Sequence, residues 1–439
     1  MNVRTCVCLT LLLAGLACGP AWARCATATE TVVNLMTYPY SDPDPVPATD
    51  KVRYPYCFFD GSTTNGTLRS WKAVVLENER IRVTVLPEIG GKVWGALDKQ
   101  SGTEFIYFNH VVKFRNISMR GPWCSGGIEF NFGIIGHSPT TAVPVSYYVR
   151  TNADGSASCF LSDTELICGT TWQVEVNLPA DADRFYTRTI WFNGSNDPAP
   201  YYQWMTAAYS ARGNPEFFFP GVNYIGHTGT SHAWPIDENG HDLSKYADNA
   251  FGSAKSEHVL NGDNRMFGIW WPERNVGSIH RNHVMDKYGR KVFLWAQSRA
   301  GGMWEDLLTD TDGQYVELQS GRCFNQPYDT YETPFKHPVF APGATHSFDE
   351  EWGVVRDRRE LERYMCESNF VFRPQRMPDG FDKNTAYGHY VMGEQMLRQK
   401  FDTEGERELK VCLEREPCFA PALGELAALA LRRGQYALA

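Results

Sequence analysis

Between residues 68 and 355 the sequence is a succession of short runs rich in β-branched and aromatic residues, separated by turns of Gly, Pro, Asn and Asp. Clear examples are residues 81–86 (IRVTVL), which precede the turn sequence PEIGG, and residues 171–178 (TWQVEVNL). Many short runs of this kind are typical of an all-β sandwich or barrel. Because this long stretch shows no helical periodicity, we predict one large two-sheet sandwich over residues 67–356.

The N-terminus has the pattern of a secretory signal. Arg4 supplies a positive charge, residues 9–17 are apolar, and Ala-Trp-Ala at 21–23 is a small-x-small cleavage site. We therefore expect residues 1–23 to be a signal peptide and the protein to be exported, to the periplasm or the extracellular space. Residues 24–66, rich in Pro, Asp, Thr and Tyr, are expected to form an extended entry segment.

After residue 356 the apolar spacing becomes helical. Four amphipathic helices are predicted, at residues 357–365, 386–399, 404–414 and 420–433. The last segment, PCFAPALGELAALALRRGQYALA, resembles the tetratricopeptide repeat, whose period is about 34 residues. Residues 357–439 are thus interpreted as a helical tail with a partial repeat. A partial repeat cannot bury its own apolar face, so we expect either that the natural chain continues or that these helices pack on the sandwich. The tail is also a candidate surface for a protein partner.

Charge and cysteine usage exclude several classes of protein. The net charge of −9 argues against a nucleic-acid partner. Three of the twelve cysteines lie in the signal segment, and the remaining nine have no CxxC spacing, so we expect no metal site. Export permits disulfides, and Cys159 and Cys168 flank a predicted hairpin, but the sequence does not fix the pairing.

Phosphate-binding and dinucleotide-binding motifs are absent from the sequence, and no cofactor is expected.

A first candidate site lies in residues 120–141, RGPWCSGGIEFNFGIIGHSPTT. Alternation along a strand places Glu129 and Asn131 on one face and the apolar residues on the other, namely Ile128, Phe130 and Phe132. A carboxylate between large apolar residues is costly to bury unless it is paired or used in chemistry. Glu129 is therefore a candidate catalytic residue, although a surface acid or a partner of an arginine would be simpler interpretations.

The surroundings of Glu129 strengthen its candidacy. Two glycines, Gly126 and Gly127, permit a bend of the backbone, or the close approach of a ligand, just before the acid. His137 follows within eight residues and could exchange a proton. Trp123 precedes Glu129 and offers a flat ring that could stack on a sugar.

A second candidate site lies in residues 308–326, LTDTDGQYVELQSGRCFNQ. After an Asp/Gly turn, Glu317 and Gln319 are predicted on one face of a strand and Val316 and Leu318 on the other. Two carboxylates on separate strands that open on one face are what glycoside hydrolysis requires. An ion pair between Glu317 and Arg322 is an equally simple structural interpretation.

Other polar and aromatic residues carry weaker signals. His227 and His232 are interpreted as loop histidines, and His280 and His283 lack a matching acid for a metal site. Glu350 lies in a sequence that resembles an edge strand with a possible functional role. The tryptophans of the second half of the chain are more typical of a core than of a sugar platform, and these are Trp270, Trp271, Trp295 and Trp304.

Several sequence stretches resemble a known superfamily. Residues 71–109, WKAVVLENERIRVTVLPEIGGKVWGALDKQSGTEFIYFN, resemble the opening sheet of the galactose mutarotase-like (aldose 1-epimerase) superfamily. The strings GPWCSGGIEFNF, HSPTT and YVELQSGRCFNQ resemble its bacterial branch known as domain of unknown function 5107, which is often exported and followed by tetratricopeptide repeats. The resemblance covers about residues 68–355.

The resemblance implies a large β-supersandwich and a sugar ligand. Glu317, in VELQ, matches the position of the epimerase general base, and His137 is the nearest candidate for the general acid. The strand at residues 201–208, where epimerases place another His, contains none. The epimerase constellation implied by the resemblance is therefore incomplete.

Our first hypothesis from the sequence is an exported glycoside hydrolase that acts on an oligo- or polysaccharide. Glu317 and Glu129 would be the acid/base or acid/nucleophile pair, with His137 as a third catalytic residue, which requires both carboxylates on one face. The expected substrate-binding residues are Trp123, Arg322, Gln319, Asn131 and Gln326. The alternatives are a non-catalytic carbohydrate-binding module and an aldose 1-epimerase, which needs a general acid that faces Glu317.

Overall fold

The computed structural model describes residues 25–40, 55–57, 59, 61–118, 121–133, 136–200, 202–226, 230–249, 255–260, 265–282, 287, 289–295, 299–321, 339–366, 381–399 and 401–435. Several predictions fall outside these residues, namely the signal peptide, His227, His283, Arg322 and Gln326. Within the described ranges, no helix is both long enough and apolar enough to span a membrane.

The part of the chain that the structure describes is mainly strands, with one α-helix between strands and four α-helices at the C-terminal end. The strands are β1 (Thr27–Tyr38), β2 (Thr67–Glu77), β3 (Ile81–Leu86), β4 (Lys92–Asp98), β5 (Thr103–Ile106), β6 (Val111–Lys113), β7 (Arg115–Ser118), β8 (Gly121–Trp123), β9 (Ile128–Gly133), β10 (Ser146–Thr151), β11 (Ala157–Glu165), β12 (Thr170–Leu178), β13 (Arg184–Phe192), β14 (Ala199–Pro200), β15 (Tyr202–Ser210), β16 (Glu216–Phe218), β17 (Asn223–Ile225), β18 (Ser231–Ala233), β19 (Lys255–Leu260), β20 (Met266–Trp271), β21 (Val276–Asn282), β22 (Gly289–Leu294), β23 (Tyr315–Gly321), β24 (Val339–Phe340) and β25 (Thr345–Val355). The helices are α1 (Arg299–Leu308), α2 (Arg358–Cys366), α3 (Ala386–Arg398), α4 (Asp402–Arg415) and α5 (Ala420–Arg432).

Two large sheets form the body of the molecule. Within the described residues, the larger has thirteen strands in the order β18-β17-β19-β22-β23-β15-β9-β4-β3-β2-β1-β6, with β5 beside β4. The smaller has eight strands in the order β10-β11-β12-β13-β25-β21-β20-β16. This confirms the predicted all-β supersandwich with a helical tail. The entry segment contributes β1, which pairs with β2 over eleven residues.

The main core lies between the two sheets. Alternate residues of the strands point into it, and Ile128, Phe130 and Phe132 of β9 are buried there as predicted. Val316 and Leu318 of β23 lie in the same core. Glu129 and Glu317 therefore both point to the other face of the large sheet.

Gly126 and Gly127 set the path of the chain into β9. Gly127 has a φ of 65°, a conformation that costs a residue with a Cβ about 1–2 kcal/mol. A Cβ at this position would lie 2.2 Å from the carbonyl oxygen of Val93 on β4. The glycine therefore allows β9 to approach β4 closely enough for Val93 to pair with Ile128.

We expect Gly127→Ala to lower the free energy of unfolding by about 3 kcal/mol, because backbone strain and displacement of β4 add together. Chemical denaturation measures the change. Gly102→Ala is a matched control, since Gly102 also has a positive φ of 68° but a Cβ there would meet nothing within 4 Å. If both variants lose the same free energy of unfolding, backbone strain alone, and not the close approach to β4, explains the loss at Gly127.

Helix α1 packs on the site face of the large sheet. Its C-terminal carbonyl groups, which lack partners within the helix, accept hydrogen bonds from buried side chains of the β5–β9 region. Asn109 Nδ2 and Ser125 Oγ donate to Leu308 O at 3.0 and 2.9 Å. Lys113 Nζ donates to the carbonyl oxygens of Asp306 and Thr309. These bonds fix the turn that leads into β23 and hence the position of Glu317.

The sequence predictions outside the site have mixed outcomes. The four C-terminal helices are confirmed, and α3, α4 and α5 share a small core of their own. The tryptophans at 270, 271 and 295 are core residues, as expected. The edge-strand interpretation of Glu350 is wrong, because β25 pairs with β13 on one side and β21 on the other. Among the cysteines that the structure describes, six are free thiols, namely Cys57, Cys124, Cys159, Cys168, Cys412 and Cys418.

Candidate functional site

A row of polar side chains crosses five neighbouring strands of the large sheet. The registers pair successive members of this row, in the order His258, Lys291, Gln319, Thr206 and Glu129. Because directly paired residues of antiparallel strands lie on the same face, all five side chains share the face opposite the main core. We call this set the cross-strand row.

Glu317 lies next to the cross-strand row, two residues along β23 from Gln319. Ordinary strand spacings place the Cα atoms of Glu317 and Glu129 about 12 Å apart. Both carboxylates are buried. The sheet thus brings together two acids that are far apart in the sequence.

The carboxylate of Glu129 is held by four polar groups. Trp123 Nε1 donates to Oε2 at 2.6 Å, and Asn131 Nδ2 donates to Oε1 at 2.9 Å. His137 Nδ1 forms a short hydrogen bond with Oε1. Lys92 Nζ, which also donates to Cys124 O, lies 3.7 Å from Oε2. A carboxylate has about four lone-pair positions, so these contacts use nearly all its capacity.

Charge balance keeps Glu129 ionised. Burial alone would raise the pKa of Glu129, but His137, Lys92 and Asn131 lower the pKa to about 2. An ionised carboxylate only accepts hydrogen bonds, so Nδ1 of His137 must carry the shared hydrogen. Nε2 of His137 is then the ring atom that can exchange a proton with a ligand. Glu129 therefore orients the imidazole, as the buried acid does in a catalytic triad.

The loop that carries His137 is fixed on both sides. Asn131 donates to Glu129 and accepts from the backbone N of Ser138 at 2.6 Å, so one amide joins the acid to the loop. His137 lies between two indoles, with ring centroids 5.3 Å from Trp123 and 5.0 Å from Trp204. Its side chain is 22% exposed, whereas that of Glu129 is 2% exposed. His137 is thus the member of the pair that meets solvent.

Glu317 has a different environment from Glu129. Its direct partners are neutral, since Tyr315 OH donates at 3.3 Å and Gln319 Nε2 at 2.8 Å. Burial raises the pKa of Glu317, the Glu129 carboxylate adds to the rise, and His137 and Lys291 oppose it. The net direction is upward. A buried carboxyl group with a raised pKa is a candidate for general acid–base catalysis.

Thr206 lies in the cross-strand row between Gln319 and Glu129. Its hydroxyl group is buried and has no hydrogen-bond partner among the described residues. A buried hydroxyl without a partner costs about 1–3 kcal/mol. The hydroxyl is therefore well placed to bond a polar group of a ligand.

Six of the eight site residues predicted from the sequence fall in the described part. Four of them are joined by hydrogen bonds, because Trp123, Asn131 and His137 all bond Glu129. The other two, Glu317 and Gln319, bond each other. Trp123 has a different contact from the one expected, because its ring is buried and its N–H bonds Glu129. The sequence interpretation missed Lys92, Lys291, Thr206 and Trp204. Their alternation with core residues was the available signal, but only strand pairing shows that they meet.

A second buried polar cluster lies between the sheets, behind the site. Glu350 accepts from Ser320 Oγ at 2.8 Å and from His280 Nε2 at 2.9 Å. Arg290 donates to Nδ1 of the same imidazole, so His280 is neutral with its hydrogen on Nε2. Burial lowers the pKa of His280 to about 3. This cluster joins β23 and β22 to the smaller sheet and supports the strands that carry Gln319 and Lys291.

Comparison with known proteins finds one matching family model and solved structures with a similar fold. Residues 49–355 match the model described as Domain of unknown function (DUF5107). A TPR-domain containing protein from Parabacteroides distasonis ATCC 8503 is 20% identical, with 94% of this chain and 79% of that chain covered and a TM-score of 0.68. A candidate aldose 1-epimerase from Klebsiella pneumoniae subsp. pneumoniae MGH 78578 is 10% identical, with 79% of this chain and 97% of that chain covered and a TM-score of 0.51. At these identities the likeness shows the fold alone.

Proposed function

The chain belongs to the family described as Domain of unknown function (DUF5107), and from its buried acid–base cluster we propose that it is a sugar-processing enzyme. Its reaction is interconversion of the anomers of a saccharide by proton transfer at the O1 hydroxyl and the ring oxygen, as in an aldose 1-epimerase. One observation carries this proposal. Glu129 is occupied by His137, Trp123, Asn131 and Lys92, which leaves Glu317 and His137 as the pair that can exchange protons.

The proposed reaction needs one base and one acid on opposite sides of the sugar ring. The Glu317 carboxylate takes the proton of the O1 hydroxyl, whose electrons form the C1=O1 bond. The C1–O5 bond breaks, and O5 takes a proton from Nε2 of His137. Rotation about the C1–C2 bond, followed by reversal of these steps, gives the other anomer. No atom is gained or lost. Glu129 holds the imidazole of His137 in position through Nδ1.

Two further considerations support a saccharide ligand. The solved structure with a TM-score of 0.51 is named as a candidate aldose 1-epimerase, on the same fold. The site also combines an indole, Trp204, with neutral polar groups of Thr206 and Gln319, a mixture suited to sugar hydroxyls and ring faces. The expected signal peptide at residues 1–23 supports a role outside the cytoplasm.

Glycoside hydrolysis is the second candidate function, because Glu129 and Glu317 share one face and have oppositely shifted pKa values. Glu317 would then protonate the leaving oxygen. Glu129 would have to attack or activate water, and it would lose at least one of its present partners to do so. This loss is the reason that hydrolysis ranks second.

The proposal is tested by incubating the full chain with a panel of freshly dissolved single anomers and of oligosaccharides. Proton NMR reports both the anomer ratio and any new reducing ends. We expect faster equilibration of at least one free sugar without new reducing ends. Released sugar would favour hydrolysis, and binding without either reaction would favour a non-catalytic carbohydrate-binding module.

Thr206→Val should weaken saccharide binding about fivefold to tenfold, because it removes a hydrogen bond worth about 1 kcal/mol. Stability should not fall, since the lost hydroxyl has no described partner. Calorimetry measures the affinity, and thermal unfolding measures the stability. Thr187→Val is the matched control, because Thr187 Oγ1 accepts from Trp352 Nε1 at 3.0 Å away from the site. That variant should lose stability and retain affinity, and the reverse pattern would contradict the assignment of Thr206.

A further inference from the structure

Lys92 is a buried lysine at the start of β4. Its side chain is 1% exposed, and Nζ donates to the carbonyl oxygen of Cys124 at 2.8 Å. The same Nζ lies 3.7 Å from Oε2 of Glu129 and 5.8 Å from the ring centroids of Trp94 and Trp123. These contacts fix the ammonium group beside one oxygen of Glu129 and away from solvent.

The two oxygens of Glu129 have different partners. Oε1 accepts from Asn131 Nδ2 and bonds Nδ1 of His137, whereas Oε2 accepts from Trp123 Nε1 and faces Lys92. The carboxylate therefore lies between Lys92 and the imidazole ring. Of these two partners, the imidazole meets solvent and can exchange a proton with a ligand, and the ammonium group does not meet solvent.

Other ionisable groups that interact with Glu129 in the described part of the chain are Cys124, Tyr315, Glu317 and Lys291. The first three carry no positive charge in any protonation state. Lys291 is a cation, but β23 and β15 lie between its strand and β9, which places its backbone about 14 Å from that of Glu129. Lys92 is therefore the cation that stays in contact with Glu129 when His137 changes its charge.

We propose that Lys92 is a positioning residue that holds Glu129 ionised while the ring of His137 is neutral, and so lets His137 release and recover its proton. In the proposed reaction, Nε2 of His137 gives its proton to the ring oxygen O5, and the positive charge of the imidazole leaves the contact with Oε1. The ammonium of Lys92 then remains as the counter-charge of the buried carboxylate. Lys92 exchanges no proton itself. Its role in turnover rests on the proposed function, whereas its charge balance with Glu129 requires no substrate.

The charge balance is tested without substrate by infrared titration of the carboxyl groups in the full chain. His137→Gln replaces the ring by a neutral side chain and so imitates the site after proton transfer. The band that is lost on adding Glu129→Gln identifies Glu129. We expect Lys92→Met, added to His137→Gln, to raise the midpoint of this band by about 1–3 pH units, because it removes an opposite charge at close range. An unchanged midpoint would overturn the proposal.

The pH dependence of stability gives a second readout in Lys92→Met, and it remains informative if this variant is too unstable at neutral pH. A protonated Glu129 needs no counter-charge. The free energy of unfolding of Lys92→Met should therefore approach that of the wild type as the pH falls from 4.5 toward 2, the ordinary and folded pKa values of Glu129. Urea denaturation measures the difference. A deficit that does not vary with pH would indicate lost packing alone and overturn the charge balance.

Activity separates this role from the proposed function. On a sugar that the wild type processes, Lys92→Met should lower kcat by about tenfold or more, the equivalent of one pKa unit, with KM little changed. In Glu129→Gln the same change should cause no further loss, because an amide needs no counter-charge. Equal losses in both backgrounds would overturn action through Glu129. An inactive wild type with a raised infrared midpoint would contradict the proposed function and leave the charge balance standing.

Discussion

Replacing Glu317 by glutamine is expected to reduce turnover by about 100-fold to 10,000-fold, the usual contribution of a general acid or base. Glutamine has nearly the same shape and can still accept a hydrogen bond from Tyr315 or Gln319, but it cannot take a proton from the sugar. Saccharide affinity should change little, because the neighbouring groups of the site remain. Kinetics and calorimetry on the same sugar therefore separate chemistry from binding.

Glu257→Gln is a matched control for this variant. Glu257 is also a buried strand glutamate, burial raises its pKa to about 8, and its oxygens have no hydrogen-bond partner among the described residues. The same change from carboxyl to amide should leave turnover nearly unchanged there, because Glu257 is paired with Val292 of the main core and so lies on the face opposite the site. A similar loss in both variants would indicate a general effect of altered burial rather than a role of Glu317 in the reaction.

The second large effect is expected in stability, at Glu129. Glu129→Ala should lower the free energy of unfolding by about 3–5 kcal/mol, because it leaves the buried ammonium of Lys92 without its carboxylate. The variant also removes the acceptor of Trp123 Nε1 and Asn131 Nδ2. Urea denaturation measures the loss. Restoration of stability in the double variant Glu129→Ala, Lys92→Met would show that the unpaired charge is its cause.

The stabilising effect of Glu129 should also depend on pH in a defined direction. The pKa of Glu129 falls from its ordinary value of 4.5 to about 2 on folding, so the folded state binds fewer protons than the unfolded state. The contribution of Glu129 to the free energy of unfolding is therefore fully present above pH 4.5. It declines as the pH falls toward 2. Between pH 5 and pH 3 the stability difference between the wild type and Glu129→Gln should shrink by about 2 kcal/mol. A difference that does not vary with pH would contradict an ionised Glu129.

The orientation of the site strands could be predicted from the sequence, because strand alternation depends only on near neighbours. Burying the carboxylate of Glu129 costs far more free energy than burying the ring of Phe130. The pattern IEFNF therefore predicts that these two side chains lie on opposite faces of the strand. The same reasoning placed Glu317 and Gln319 opposite Val316 and Leu318. The helices after β25 could also be predicted from near neighbours in the sequence, because their apolar residues recur with the helical period.

The contacts across strands could not be predicted, because they depend on register between segments far apart in the chain. Thr206 and Lys291 alternate with core residues like many others, and only the pairing of β9, β15, β23 and β22 brings them to Glu129 and Glu317. The partners of Glu129 decide whether it reacts or orients His137, and no single segment contains this information. Helix α1 was also missed, because its sequence RAGGMWEDLL has two glycines and a low intrinsic helix propensity.

The hydrogen bond between Glu129 and His137 decides which of these two residues is available to react with a ligand. Nitrogen NMR on protein labelled at histidine, without substrate and at neutral pH, distinguishes the two ring nitrogens and shows which of them carries this hydrogen. We expect a hydrogen on Nδ1 that is protected from exchange, with Nε2 as the nitrogen that responds to solvent, and we expect this protection to disappear in Glu129→Gln. A hydrogen on Nε2 alone, or a His137 signal unaffected by Glu129→Gln, would contradict the account and return Glu129 to the role of a reacting carboxylate.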